Sequence, residues 1–276
     1  METRHQVDPV RYRQLGGPEL RQAFLVEDLF APDDVRLLHW EAERTIIGAA
    51  VPATRTLALP NPPEIKAPSF AARREVGIVN LGGGGSVTVD GTRHALGHRD
   101  MLYVGRGAQE VTFASDAAGS PAAFYLVSHP AHAEHPTTPA PASGAQTIPI
   151  GDAAHASERV LRRYIHEKGV KSCQLVMGVT DINEGSVWNT LPPHTHTRRT
   201  EIYLYFDLAA AERVVHLMGP PAATRHLVIA DRQAVLSPPW SIHFGAGSSR
   251  YAFVWSMGGE NQEFEDMQVL SLDQLR

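Results

Sequence analysis

Apolar residues along this chain fall in short runs with little helical periodicity: REVGIVNL, GSVTVDG, DMLYVG, AAFYLVS, CQLVMGVT, EIYLYFDL, RVVHLMG, RHLVIA, QAVLSP and YAFVWSMGG. They are rich in β-branched and aromatic residues, and Gly, Pro, Asn and Asp separate them at strand-and-turn spacing. That pattern predicts an all-β sandwich or barrel. Three places read as short helices: Asp152–Tyr164, where Glu158, Arg159, Arg162 and Arg163 follow small residues, the arm around Gly17–Val26, and the last residues Leu272–Arg276. The stretch SHPAHAEHPTTPAPASGAQ, residues 128–146, is rich in Pro, Ala and Thr and reads as a linker or surface strap.

The two sides of that linker resemble each other. Arg73-Arg74-Glu75 precedes one strand run and Arg198-Arg199-Thr200-Glu201 another; Arg93-His94 matches Arg225-His226 (226 − 94 = 132), and Arg99 matches Arg232 (232 − 99 = 133). Two blocks at nearly one offset predict a duplicated β-domain, divided as residues 1–140 and 141–276. On this alignment Glu75 stands where Glu201 stands, Phe70 where His196 does, Pro68 where His194 does and Glu110 where His243 does. The first half therefore repeats the strands without the histidines, which marks the histidines as additions for chemistry.

Composition narrows the function. At 276 residues, 43% hydrophobic, the chain suits two ordinary domains with real cores. A net charge of −5 offers no basic excess for nucleic acid. No apolar run is long enough for a membrane span, and METRHQVDPVRYRQL lacks the apolar core of a signal peptide. The single cysteine, Cys173, fits a reducing compartment and reads as a small core residue, so a cytoplasmic setting is expected.

The candidate chemistry lies in PPHTHTRRTEIYLYF, residues 192–206. His194 and His196 are two apart and share a strand face, so both imidazoles can reach one ion. Glu201 has the opposite parity, which requires a bulge or turn within Thr197–Thr200. Beyond that break Glu201, Tyr203 and Tyr205 would share the inner face. His243, in SPPWSIHFGAG, supplies a fourth ligand. An isolated HxH is as a rule an ordinary polar pair; Glu201, His243 and the missing counterparts in the first half favour a metal. Three imidazoles and a carboxylate suit Zn, Fe, Mn or Ni, and the lack of thiolate excludes a cysteine-type structural zinc site. His129, His132 and His135 lie in the linker and read as solvated.

HxHxxxxE followed by P-x-x-x-H resembles the metal motif of the cupin superfamily. The segments GHRDMLYVGRGAQEVTFAS, WNTLPPHTHTRRTEIYLYFDL, MGPPAATRHLVIADRQAVLSPPWSIH and WSMGGENQEFEDM are similar to the bacterial 5-keto-4-deoxyuronate isomerase family over nearly the whole chain. The resemblance implies a bicupin, two antiparallel jelly-roll-like β-barrels with few short helices. It also implies a homohexameric aldose–ketose isomerase of pectin and uronate breakdown. One Zn2+ per subunit would be held by His194, His196, Glu201 and His243. Such a reaction needs a base, for which Glu201, His226, Tyr203 and Tyr205 are candidates. A uronate substrate needs a cationic clamp, for which Arg162, Arg163, Lys168 and Arg225 are candidates. Trp188, Trp240 and Trp255 are candidate pocket walls. Glu75 and Glu110 would be remnants of the duplicated pattern, and the first barrel a support. A cupin dioxygenase and a non-catalytic sugar-binding cupin are the alternatives.

Overall fold

The computed structural model describes residues 1–276 and contains two α-helices and a large set of short strands. Four sheets carry the fold. In the first unit a seven-stranded sheet runs in the order Glu2–Arg4, Val35–Trp40, Thr45–Ala50, Phe124–Pro130, Arg74–Asn80, Met101–Val104, Thr138–Ala140. It faces a four-stranded sheet of Leu57–Ala58, Val111–Ser115, Gly85–Val89 and Thr92–Leu96. The second unit repeats this order strand for strand. Its large sheet is Gln146–Ile150, Arg159–Ile165, Val176–Ile182, Ala252–Gly258, Thr200–Phe206, Ala234–Ser237, Leu25–Val26. Its small sheet is Trp188–Asn189, Ile242–Gly247, Val214–Gly219, Arg225–Ile229. Pairing within these sheets is antiparallel except between Glu2–Arg4 and Val35–Trp40. Each unit is thus jelly-roll-like as expected, but built as two opposed sheets and not as one closed ring of strands.

The two large sheets pack face to face, which explains why their strands read as nearly unbroken apolar runs: both faces are covered. One face of the Thr200–Phe206 strand puts Ile202, Leu204 and Phe206 into the layer between the units, opposite Val79, Met101, Tyr125 and Val127. The other face turns Tyr203 and Tyr205 into the interior of the second unit. The first unit's interior is filled by Phe70, Ala71, Val76, Ile78, Val87, Val111, Phe113, Phe124 and their apolar neighbours.

The N-terminal arm does not stay with the first unit. Helix Pro9–Gln14 is started by Asp8, whose Oδ1 accepts from the amides of Val10 and Arg11. Helix Gly17–Phe24 follows, as the sequence predicts. Tyr12, Leu20, Phe24 and Leu25 pack into the second unit's core, and Leu25–Val26 forms the edge of its large sheet. No helix in the chain is long and apolar enough to cross a membrane.

Several expectations need correcting. The Asp152–Tyr164 helix is a single turn, Ala153–His155, followed by the Arg159–Ile165 strand. RVLRRYI shows no clean alternation because both of its faces are covered, so it does not announce a strand. At the C-terminus only one 3-10 turn forms, Leu272–Gln274. Residues 128–146 are no solvated strap: His129 is buried on the Phe124–Pro130 strand, and Thr138–Ala140 closes the first large sheet. His132 is exposed, in keeping with its reading.

The repeat is real in topology but one residue out of step at its carboxylate. Val76 pairs with Val104 and Glu201 with Ser237, and these are the inward positions. Val76, not Glu75, therefore occupies the place of Glu201. A one-residue slip reverses the face, so Glu75 points into the layer between the units. There its carboxylate accepts from the amides of Cys173 (2.7 Å), Gln174 (2.9 Å) and Leu175 (2.9 Å) and from the Tyr103 hydroxyl (2.8 Å). Glu110 is exposed, and the neighbouring inward residue is Val111. Neither glutamate is a remnant of a metal site.

Candidate metal centre

His194 and Thr195 form a short strand paired with Gln268–Val269, a turn occupies Thr197–Arg198, and the long strand begins at Thr200. The turn supplies the parity break that the sequence demanded, so Glu201 swings to the side of the histidines. His243 arrives from the Ile242–Gly247 strand of the opposing sheet, across from Met218.

The four side chains converge. His196 Nε2 lies 2.9 Å and His243 Nε2 2.8 Å from the same oxygen, Oε2 of Glu201. His243 Nε2 is 3.2 Å from His194 Nε2. One ligand atom from each of the four can be chosen so that all lie within 4.8 Å of one another. The rings of His196 and His243 are nearly parallel, 9° apart, while His194 stands at 89° to His243. Burial pushes the His194 imidazole down to about 3, helped by His243, and lowers His196 in the same direction. Both therefore stay neutral, the form that offers a lone pair. Burial acts to raise the Glu201 carboxyl, but His243 and His196 outweigh it and hold the group ionised. Two imidazole nitrogens facing each other beside a carboxylate form a donor set that fits a divalent cation. His243 Nδ1 sits 3.3 Å from the Ser241 carbonyl, which leaves Nε2 to face the centre.

Three of the four, His194, His196 and Glu201, form one wall of a cavity of about 270 Å³ that also includes Arg159, Leu161, Arg163, Thr190, Tyr203, Trp255, Met257 and Phe264, with His243 behind them. A larger groove of about 1170 Å³, between the N-terminal arm and both units, contains none of the four ligands. Tyr203, with its hydroxyl 2.8 Å from Thr190 Oγ1, belongs to the cavity; so does Arg163.

The other proposed side chains are elsewhere. His226 is exposed on the outer face of Arg225–Ile229 and lines the larger groove, which removes it as a base. Arg225 donates to the Leu15 carbonyl (2.6 Å) and lies over the Tyr12 ring, where it anchors the first helix. Arg162, on the opposite face of its strand from Arg163, is paired with Asp181. Lys168 is exposed beside a different depression. Trp255 lines the cavity, whereas Trp240 packs on Tyr12 and Phe24 and Trp188 stacks on Phe244. Tyr205 lies deeper, its hydroxyl 2.7 Å from His216 Nδ1. Sequence reasoning missed Arg159 and Thr190. Reading 159–165 as a strand would have found Arg159, since it shares parity with Leu161 and Arg163.

The model of the KduI/IolB family matches residues 26–271. A curated relative from Kineococcus radiotolerans, named 4-deoxy-L-threo-5-hexosulose-uronate ketol-isomerase, is 52% identical over 279 residues, covering 100% of both chains. One of the same name from Opitutus terrae is 48% identical over 277 residues with the same coverage. Among solved structures, an IolB-like protein from Salmonella typhimurium superposes with a TM-score of 0.74 at 13% identity, covering 90% of this chain and 96% of its own. An oxalate decarboxylase from Lactobacillus farciminis gives 0.54 at 12% identity, with 90% of each chain covered. These two likenesses concern the fold alone.

Proposed function

Because the chain belongs to the KduI/IolB family, we propose that it is a zinc-dependent ketol-isomerase acting on 4-deoxy-L-threo-5-hexosulose uronate to give 3-deoxy-D-glycero-2,5-hexodiulosonate. The observation that carries this reading is the convergence of His194, His196, Glu201 and His243, the first three of which line a cavity, in a chain that matches ketol-isomerases along its full length. Residues 141–276 hold the metal and residues 1–140 support them. The homohexamer, the cytoplasmic setting and the link to pectin breakdown belong to the same reading.

When bound, zinc supplies a Lewis acid that polarises a carbonyl and the hydroxyl beside it. Glu201 turns one oxygen, Oε2, to both histidines and leaves Oε1 without a partner. That oxygen takes the proton from the hydroxyl-bearing carbon and returns it to the adjacent carbonyl carbon, while the hydroxyl proton passes to the former carbonyl oxygen, so that the ketone and the new alcohol form together. Burial raises the Tyr203 hydroxyl well above its ordinary value, so it keeps its proton and acts as a hydrogen-bond donor, steadied by Thr190. Leu161, Met257 and Phe264 keep the cavity apolar around these groups.

The test is a coupled assay on enzymatically generated 4-deoxy-5-ketouronate, with and without chelation, alongside elemental analysis. Turnover should disappear on chelation and return with zinc, at one zinc per chain. Turnover that ignores chelation would refute the metal assignment; oxygen uptake with bound iron or nickel would point to an oxygenase.

A further inference from the structure

Two cations, Arg159 and Arg163, line the cavity, and no acid in its wall is free to pair with them. Its only acid is Glu201, which is engaged by His196 and His243. Arg159 is held in place by its donations to the carbonyls of Ser157 (2.8 Å) and Leu191 (2.8 Å), so it contributes a fixed positive charge. Arg163 is different. Its Nε is buried without a partner, and the nearest carboxylate, Glu265, is 3.9 Å away and largely exposed. Its guanidinium lies over the Phe264 ring, 4.8 Å from the centroid, a cation–π contact that holds the side chain at the cavity wall. A second buried donor in the same wall is also unpartnered, Trp255 Nε1.

Strand register joins these two. Arg163 pairs with Gly178, Gly178 with Trp255, and Trp255 with Tyr203, so the four form one row across the large sheet. A side chain at Gly178 would occupy the space of the Trp255 indole. Glycine there lets the indole lie over the sheet toward Arg163. Buried donors without acceptors are costly, and they cluster where a ligand completes them.

We infer that Arg163, assisted by Trp255 Nε1–H and the fixed charge of Arg159, binds the carboxylate of the sugar acid at the end of the cavity remote from the metal ligands. The inference rests on the isomerase reading for the identity of the acid. Aldose–ketose isomerisation occurs at the first two carbons, and a uronate carries its carboxylate at the other end. Arg163 and Tyr203 are three strand spacings apart, about 14 Å between backbones, a span that an arginine side chain and an extended six-carbon acid fill together. Planar guanidinium geometry suits the carboxylate. This arrangement makes the cavity selective for acids over neutral sugars.

The test compares wild type with Arg163→Met, Arg163→Lys and Trp255→Phe. Arg163→Met should raise KM for the uronate about 10- to 100-fold, with a smaller change in kcat and unchanged zinc content, and Arg163→Lys should recover part of the loss. Trp255→Phe should raise KM by a smaller factor. Independently of turnover, D-galacturonate should raise the thermal midpoint of wild type but not of Arg163→Met, and D-galactose should raise neither. An unchanged KM in Arg163→Met overturns the inference. So does acid protection that is absent from wild type or equal in both proteins. A wild type that binds the acid through Arg163 yet fails to isomerise the uronate would defeat the isomerase reading and leave the carboxylate site standing.

Discussion

The two units are built on one plan, and they differ in what fills the space between their sheets. In the first unit Val76 and Val111 face an interior packed with Phe70, Val87, Phe113 and Phe124. In the second, Glu201 stands at the place of Val76, and His243 comes in from the strand equivalent to that of Val111. The comparison separates scaffold from chemistry: the same strand order forms around an apolar core without any of the four ligands. Their presence in the second unit therefore needs a reason other than folding. Buried neutral imidazoles beside an ionised carboxylate are unfavourable unless a cation completes them.

The largest effect follows directly. His243→Ala should lower turnover at least ~10³-fold and remove bound zinc while leaving the far-ultraviolet circular dichroism spectrum unchanged, since the first unit folds without a histidine there. Zinc retained at one equivalent, or a variant that loses its fold together with its metal, would contradict the separation drawn from the two units.

How much of this was legible beforehand depends on how many faces of a strand are covered. The metal set was readable because HxH obeys strand parity and the polar Thr197–Thr200 segment announces a turn. The doubled architecture was readable from offsets of 132 and 133 (226 − 94 and 232 − 99). Glu75 misled because two glutamates follow similar arginine pairs, and sequence likeness cannot sense a one-residue slip that reverses the face. Arg159 was lost for a related reason. With both faces covered but only half-buried through its middle, RVLRRYI presents adjacent charges, Arg162 to Asp181 on one side and Arg163 to the cavity on the other. The N-terminal arm crosses to the second unit because Tyr12, Leu20 and Phe24 find their partners there, a tertiary fact that no local pattern encodes.

Glu75 offers a sharper test, because on sequence grounds it is the twin of Glu201 and in the structure it is a clamp between the units. Glu75→Ala leaves the amides of Cys173, Gln174 and Leu175 and the Tyr103 hydroxyl without their acceptor. Destabilisation of about 3–5 kcal/mol is expected, read as a lowered midpoint in thermal or urea unfolding. Zinc content and KM measured on the folded fraction should stay at wild-type values. A selective loss of zinc with unchanged stability would instead restore Glu75 as a partner of the metal site.

The smallest effect concerns a histidine that has no metal to hold. His129, opposite Glu75 in the first unit, is fully buried, and burial, aided by the nearby Arg74 charge, pushes its imidazole down to about 3. Its Nδ1 has only Thr45 Oγ1, at 3.3 Å. In the unfolded chain the same ring protonates near its ordinary value of about 6.5, so between roughly pH 6.5 and 3 the unfolded state binds a proton that the native state refuses. Stability must then fall as pH drops through that window and be fully present above it. Between pH 6.5 and 5 wild type should lose at most about 2 kcal/mol more than His129→Gln, measured by urea unfolding at each pH. That difference should be the same with and without excess zinc, because His129 serves packing and lies outside the metal set. Equal slopes for the two proteins would show that His129 is not held neutral, and a zinc-dependent difference would tie the first unit to the metal after all.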